Sequence, residues 1–193
     1  MTRLKAAIDI GGTLEEIWSS KRSWFKSIGV DIGSKPMERD SIISTPGVGR
    51  EQYDEMRRWV YSSEQIPKHE SVAGARDALS QLSVDYEITL LSSRTEEFRG
   101  VTYKWLQSKS MERSISALMF LGDLGNKFQW CVDNNISLMI DDDSRHLGLT
   151  SNTGPKLRIH FKNGFGQSPS TSPYVRSAAT WIDVLHIVKT LEF

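Results

Sequence analysis

The sequence predicts an α/β fold with a mainly parallel sheet, and three observations carry that expectation. Short apolar runs alternate with segments of helical period along most of the chain. The runs end on Asp, Ser or Gly-rich turns, as strands do when they deliver polar groups to one sheet edge. One long stretch after the first run loses the strand signal altogether, which marks an insertion.

In chain order, residues 4–9 (LKAAID) read as the first buried strand. Residues 17–69 read as a small, mostly helical insertion. Trp18, Trp24, Phe25 and Trp59 sit there among Lys21, Arg22, Arg57 and Arg58, in helix-compatible stretches separated by a Gly, Ser and Pro-containing connection over 33–49. Ala75, Ala78, Leu79 and Leu82 form a helical stripe that leads into a second strand at 86–91. Over 96–107 the residues Phe98, Val101, Thr102, Trp105 and Leu106 fall on one helical face, and a third strand follows at 115–121. Lys127 opens the next helix, and strands four and five are read at 137–141 and 157–161. Residues 163–173 (NGFGQSPSTSP) read as an irregular surface loop. The last helix, 178–191, places Trp181, Leu185, Val188 and Leu191 together. The core is therefore expected at 1–16 and 70–193, with the insertion at 17–69.

Composition narrows the function classes. The 193 residues carry 24 basic and 24 acidic side chains, so no net positive charge is available for tracking a nucleic-acid backbone. At roughly 100–200 residues per domain, the length allows one domain with a subdomain but not two large lobes. Cys131 is the sole cysteine, which excludes an intramolecular disulfide and a cysteine metal cluster. No run approaches the roughly 18 apolar residues of a membrane span, and the first residues lack the hydrophobic region of a targeting segment. A cytoplasmic protein, monomeric or homodimeric, with no membrane or nucleic-acid partner, is the expectation.

The strand ends carry the chemistry. The first ends on Asp9, followed by Ile10-Gly11-Gly12-Thr13; the second leads into Ser92-Ser93-Arg94; the fourth ends in Asp141-Asp142-Asp143. Lys127 lies after the third. Carboxylates of this kind hold Mg²⁺, while hydroxyl, backbone N–H and ammonium groups hold anionic oxygens, so the set suits phosphoryl chemistry. The plainer readings are that Asp9 caps a turn, that Ser92 and Ser93 are loop residues, that Lys127 is solvated, and that the triple acid caps a turn. Three adjacent carboxylates repel one another without a cation, which weighs against the last. His69, His146, His160 and His186 show no metal-ligand spacing.

With these residues in place, the sequence resembles the haloacid dehalogenase superfamily. Its four motifs are matched by IDIGGTL (8–14), ITLLSSR (88–94), Lys127 and LMIDDDS (138–144). The stretch SSRTEEFRGVTYKWL and the closing RSAATWIDVLHIV are similar to segments of the family's 5′-nucleotidase-like and acid-phosphatase-like branches. The resemblance implies a Rossmann-like three-layer core with a helical cap, and a Mg²⁺-dependent phosphatase acting on a small phosphorylated or otherwise activated metabolite. It makes Asp9 the nucleophile. Asp9, Asp142 and the Gly11 backbone carbonyl would hold Mg²⁺, with Asp141 or Asp143 in support. Ser92, Ser93, Arg94 and Lys127 would bind phosphoryl oxygens, while Gly11, Gly12 and Thr13 would shape the loop.

Position 11 departs from the family pattern, which has an acid/base Asp where this chain has Gly11. Loss of a positioned acid/base typically costs about 10²–10⁴-fold in rate. Three explanations stand side by side. The leaving group needs no proton, as in an acyl phosphate, or in C–P or C–halogen cleavage. Glu15, Glu16 or His69 substitutes. Or the chain is a degenerate member that binds without hydrolysing. DIGGT also matches the phosphate loop of actin-like sugar kinases. That family, however, needs two large lobes and a strand where Leu14 to Arg22 reads as helix.

Overall fold

The computed structural model describes residues 3–33, 38–122, 125–162 and 172–190. Six strands lie among them: β1 (Leu4–Ile8), β2 (Tyr86–Ser92), β3 (Ala117–Phe120), β4 (Leu138–Asp141), β5 (Leu157–Phe161) and β6 (Arg176–Ala178). They form one sheet in the order β3-β2-β1-β4-β5-β6, and every neighbouring pair is parallel. The register pairs Ile8 with Leu90 on one side and with Ile140 on the other. Strand β1 is thus central, buried on both faces, and its apolar run needs no polar alternation.

The period-2 rule divides the strand residues between two layers. Ala6 and Ile8 pack with Leu79, Leu90, Trp105 and Trp181 on one face, and Ala7 packs with Leu91, Cys131 and Met139 on the other. The first face is covered by α4 (Ala75–Asp85), α5 (Arg99–Ser108) and α7 (Trp181–Thr190). The second is covered by α6 (Lys127–Asp133). The result is the three-layer, Rossmann-like arrangement the pattern predicts.

Between β1 and α4 the chain forms α1 (Trp18–Ser27), α2 (Arg39–Ile43) and α3 (Arg50–Val60). These helices bury a separate apolar cluster of Trp18, Trp24, Phe25, Ile42, Met56 and Val60. Two indole N–H bonds fix the insertion and the last helix to the sheet edge. Trp105 Nε1 donates to His69 O at 2.9 Å, where the chain returns from the insertion, and Trp181 Nε1 donates to Thr13 O at 3.0 Å.

The structure differs from the sequence expectation in three places. A sixth strand, β6, follows the loop, and the last helix starts at Trp181 because Ala178 pairs with Phe161. The connection over 33–49 contains a helix, α2. The third strand is shorter, Ala117–Phe120. Most of the 163–173 loop, residues 163–171, lies outside the described residues, as does Leu191. Among the described residues no helix is long and apolar enough to cross a membrane.

Candidate active site

Strand β1 delivers Asp9 to the carboxyl edge of the sheet, where the Asp9 amide donates to Ile140 O at 2.9 Å and so places it beside the end of β4. Strand β4 ends there on Asp141. Lys127 occupies the first turn of α6, whose N-cap Asn126 accepts from the Gln129 amide at 3.0 Å. From that turn its Nζ donates to Asp9 Oδ1 at 2.5 Å and to Asp141 Oδ2 at 2.8 Å. All three side chains are buried. Asp142 completes the group: one carboxylate oxygen from each of Asp9, Asp141 and Asp142 lies within 4.8 Å of the others.

The charges do not balance locally. Burial pushes the Asp9 and Asp141 carboxyls up, and Lys127 opposes that for both. Asp142 is raised further, first by burial and then by repulsion from Asp9 and Asp141. Burial pulls the Lys127 ammonium down, but Asp141 and Asp9 outweigh it and hold the ammonium above its usual range. Lys127 contacts Asp9 and Asp141 and Lys21 acts on Asp142, yet all three carboxyls stay raised; their hard oxygen donors suit Mg²⁺, so the residues fit that ion. Asp143 points elsewhere. Its carboxylate pairs with Arg145, which overcomes burial and brings it down to about 2.

The loop after β1 closes tightly under this cluster. Gly12 has φ +95°, and a Cβ there would meet Asp142 Oδ2 at 2.0 Å, so glycine is required both for the turn and for the approach of the acid. Thr13 Oγ1 lies 3.5 Å from Asp9 Oδ2. Ser92 Oγ accepts from the Arg94 amide at 3.2 Å, which bends the chain beyond β2.

Arg94 belongs to a buried network that joins residues far apart in sequence. Its guanidinium pairs with Glu15, donates to Thr102 Oγ1 at 3.0 Å, and lies 4.3 Å from the Tyr61 ring centroid. Glu15 Oε1 also meets His69 Nδ1 at 2.7 Å, and His69 Nε2 meets Ser20 Oγ at 2.9 Å. Burial would raise the Glu15 carboxyl, but Arg94 and His69 together hold it below its usual 4.5. Glu15 and His69 are thus committed to each other and to their neighbours. Glu16 accepts from the amides of Trp18 at 2.8 Å and Ser19 at 3.0 Å, and so satisfies two free N–H groups in the first turn of α1.

A lowered folded pKa gives a contribution that is complete above the unfolded value and is lost as pH falls through the folded one. Glu15→Gln should therefore lower stability at neutral pH by about 3–5 kcal/mol, since it strands a buried guanidinium. The deficit should shrink as pH falls below 4.5, the unfolded value of the lost carboxyl. Urea unfolding at neutral and acidic pH checks this, and a deficit that does not change with pH contradicts it.

The insertion supplies the opposite wall of the cleft through Lys21, Tyr53, Arg57 and Tyr61. Lys21 is buried, yet Tyr61, Tyr53 and Asp142 outweigh that burial and keep its ammonium above the usual range. Arg57 Nη2 donates to Ser93 O at 3.1 Å, which ties the insertion to the β2 end. His146 also lines the cleft, and burial takes its imidazole down to about 4, so it is neutral at physiological pH.

The fold brings Asp9, Gly11, Ser92, Ser93, Arg94 and Lys127 to one cleft with Asp141, Asp142 and Asp143. Sequence reasoning did not single out Tyr53, Tyr61, Arg145 or His146. Only Arg145 and His146 carried a local signal, because they directly follow the acidic motif.

Neither a family model nor a curated protein matches the sequence. Solved structures do match the fold. A haloacid dehalogenase-like hydrolase from Streptococcus pneumoniae superposes with a TM-score of 0.65 at 17% identity, covering 97% of this chain and 100% of its own. A predicted phosphoglycolate phosphatase from Haemophilus somnus gives 0.61 at 13% identity, over 97% and 99% of the two chains. A haloacid dehalogenase-type hydrolase from Bacillus subtilis, solved with magnesium bound, gives 0.56 at 12% identity, again over 97% and 99%. The chain has the fold of this group of hydrolases.

Proposed function

We propose that the protein is a Mg²⁺-dependent hydrolase that uses Asp9 as nucleophile on a small phosphorylated metabolite, with residues 17–69 as its cap. The observation that carries this reading is Asp9 itself. It is a desolvated carboxylate at the end of the central strand, held by Lys127 at 2.5 Å, with an oxygen of each of two further carboxylates within 4.8 Å. The names of the similar structures, hydrolases and phosphatases, point the same way.

Asp9, Asp141 and Asp142 would hold the ion, together with the Gly11 carbonyl. When bound, Mg²⁺ supplies charge neutralisation for the phosphoryl oxygens. The chain's own residues do the rest. Lys127 fixes the direction of the Asp9 carboxylate and meets the incoming anion. Ser92 and Thr13 offer hydroxyls beside it, and Lys21 and Tyr53 close the cleft against water. Attack forms a bond from Asp9 Oδ to phosphorus and breaks the bond to the leaving oxygen, which keeps the electron pair. Water then attacks the phosphorus, the bond from phosphorus to Asp9 Oδ breaks with its electron pair returning to the carboxylate, and the phosphate leaves with the water's oxygen and both of its protons.

A hydrolysis screen over nucleotides, sugar phosphates, acyl phosphates and phosphonates, with and without EDTA, tests the reading. The expected result is phosphate release from at least one class that EDTA abolishes, with Asp142→Asn needing at least about tenfold more Mg²⁺. Release that is indifferent to metal contradicts the reading. Binding without release assigns the cleft to a non-catalytic binding protein.

A further inference from the structure

We propose that Arg94 is the residue that meets the departing group, so that the site takes phosphoryl donors whose leaving group departs as a stable anion. Acyl phosphates and similar mixed anhydrides are that class; alkyl phosphate monoesters are not. The inference rests on the hydrolase reading given above and narrows its substrate.

The argument starts from the space at position 11. Gly11 lines the cleft two residues beyond the nucleophile, at a negative φ that any residue can adopt. A Cβ built there meets Arg94 Nη2 at 3.2 Å, Ile17 Cδ1 at 3.0 Å and the Tyr61 hydroxyl at 3.4 Å. The space beside Gly11 is thus bordered by Ile17, the Arg94 guanidinium and the Tyr61 hydroxyl. The guanidinium is also incompletely used. Nη1 and Nη2 have partners, but Nε is buried and has no hydrogen-bond partner among the described residues, and the same holds for the neighbouring Ser93 Oγ. Both residues line the cleft, so two buried donors remain for an oxygen that is absent from the protein itself.

A guanidinium does not lose its proton in the working pH range, so it can stabilise an anion but cannot act as the acid that protonates an alkoxide. Glu15, locked against Arg94 and His69, keeps the cation compensated and fixed in place. Tyr61, from the insertion, stacks on the guanidinium at the seam between core and cap. The other carboxyl in the cleft wall outside the acid cluster, Glu38, stands on the far side. Its Oε1 is 4.0 Å from His160 Nε2 on β5, three strands away from β2 and so about 14 Å across the sheet. With an acyl phosphate the step balances without an acid. Asp9 Oδ bonds to phosphorus, the phosphorus–oxygen bond breaks, and the pair leaves on a carboxylate that needs no proton. Water later divides the aspartyl-phosphate into the Asp9 carboxylate and orthophosphate, which keeps the water's oxygen and both of its protons.

The test compares wild-type kcat/KM over acetyl phosphate, a series of aryl phosphates of rising leaving-group pKa, and glycerol phosphate. The expected result is a steep fall along the series, by about 10²–10⁴-fold from anhydride to alkyl ester, the factor that a positioned acid would otherwise recover. Arg94→Lys should steepen the fall. Free guanidinium should restore the anhydride rate of Arg94→Ala, which a merely structural role would not allow. The wild-type series stands on its own if either variant fails to fold. A flat wild-type series overturns the inference and leaves the Asp9 reading intact; if Glu38→Gln then steepens it, Glu38 is the proton donor. Absence of turnover on every ester and anhydride overturns both.

Discussion

Replacing Lys127 with Met is expected to lower both stability and activity. The side chain is buried, and its Nζ bridges Asp9 and Asp141 at 2.5 and 2.8 Å. Methionine matches its length but leaves two desolvated carboxylates facing each other and Asp142. Removing one partner of a buried ion pair costs about 3–5 kcal/mol, because the remaining charge stays out of water. A lost oxyanion contact costs about 10²–10³-fold in rate, so kcat/KM should fall by at least that factor wherever the variant remains folded. Urea unfolding and steady-state kinetics on the same preparation separate the two losses. A variant that keeps wild-type stability would contradict the buried bridge from Lys127 to Asp9 and Asp141.

Asp9→Asn is the complementary change, and its two readouts should move in different directions. Turnover should fall by on the order of 10⁴-fold or more, as when a nucleophile is removed from a site that retains its binding groups. Stability should hold or improve in metal-free solution. Lys127 keeps Asp141 as a partner, and Asp142 loses one of the like charges that disfavour its ionised form. Thermal unfolding in EDTA measures this, and a large drop in melting temperature would assign Asp9 a structural role instead.

Much of the fold was legible because the strands that matter most are the ones most buried. Strands β1 and β4 lie at the centre of the sheet, so the buried parts of their sequences, Ala6 to Ile8 and Leu138 to Ile140, are unbroken apolar runs that stand out. The edge strand β6 is three residues, Arg176-Ser177-Ala178, of which only Ala178 is buried; it carries no apolar run and cannot be read locally. Helix α2 was hidden for a similar reason, since its five residues RDSII bury only Ile42. The site residues that end strands were readable from position alone: Asp9, Ser92 and Asp141 each terminate or directly follow an apolar run. The Arg94–Glu15–His69–Ser20 network was not readable, because it joins four segments up to 79 residues apart through contacts that no local pattern encodes. The environment of Gly11 belongs to the same class. The sequence shows that position 11 lacks a side chain, and only the packed structure shows that a guanidinium borders the space.

The account depends most on Asp9 becoming covalently phosphorylated. Rapid mixing with acetyl phosphate and Mg²⁺, quenching during the first turnover, borohydride reduction and peptide mass spectrometry read this directly. The expected result is homoserine at position 9 in the wild type and none in Asp9→Asn. Phosphate release with Asp9 unmodified, or reduction at another carboxylate, would contradict the account.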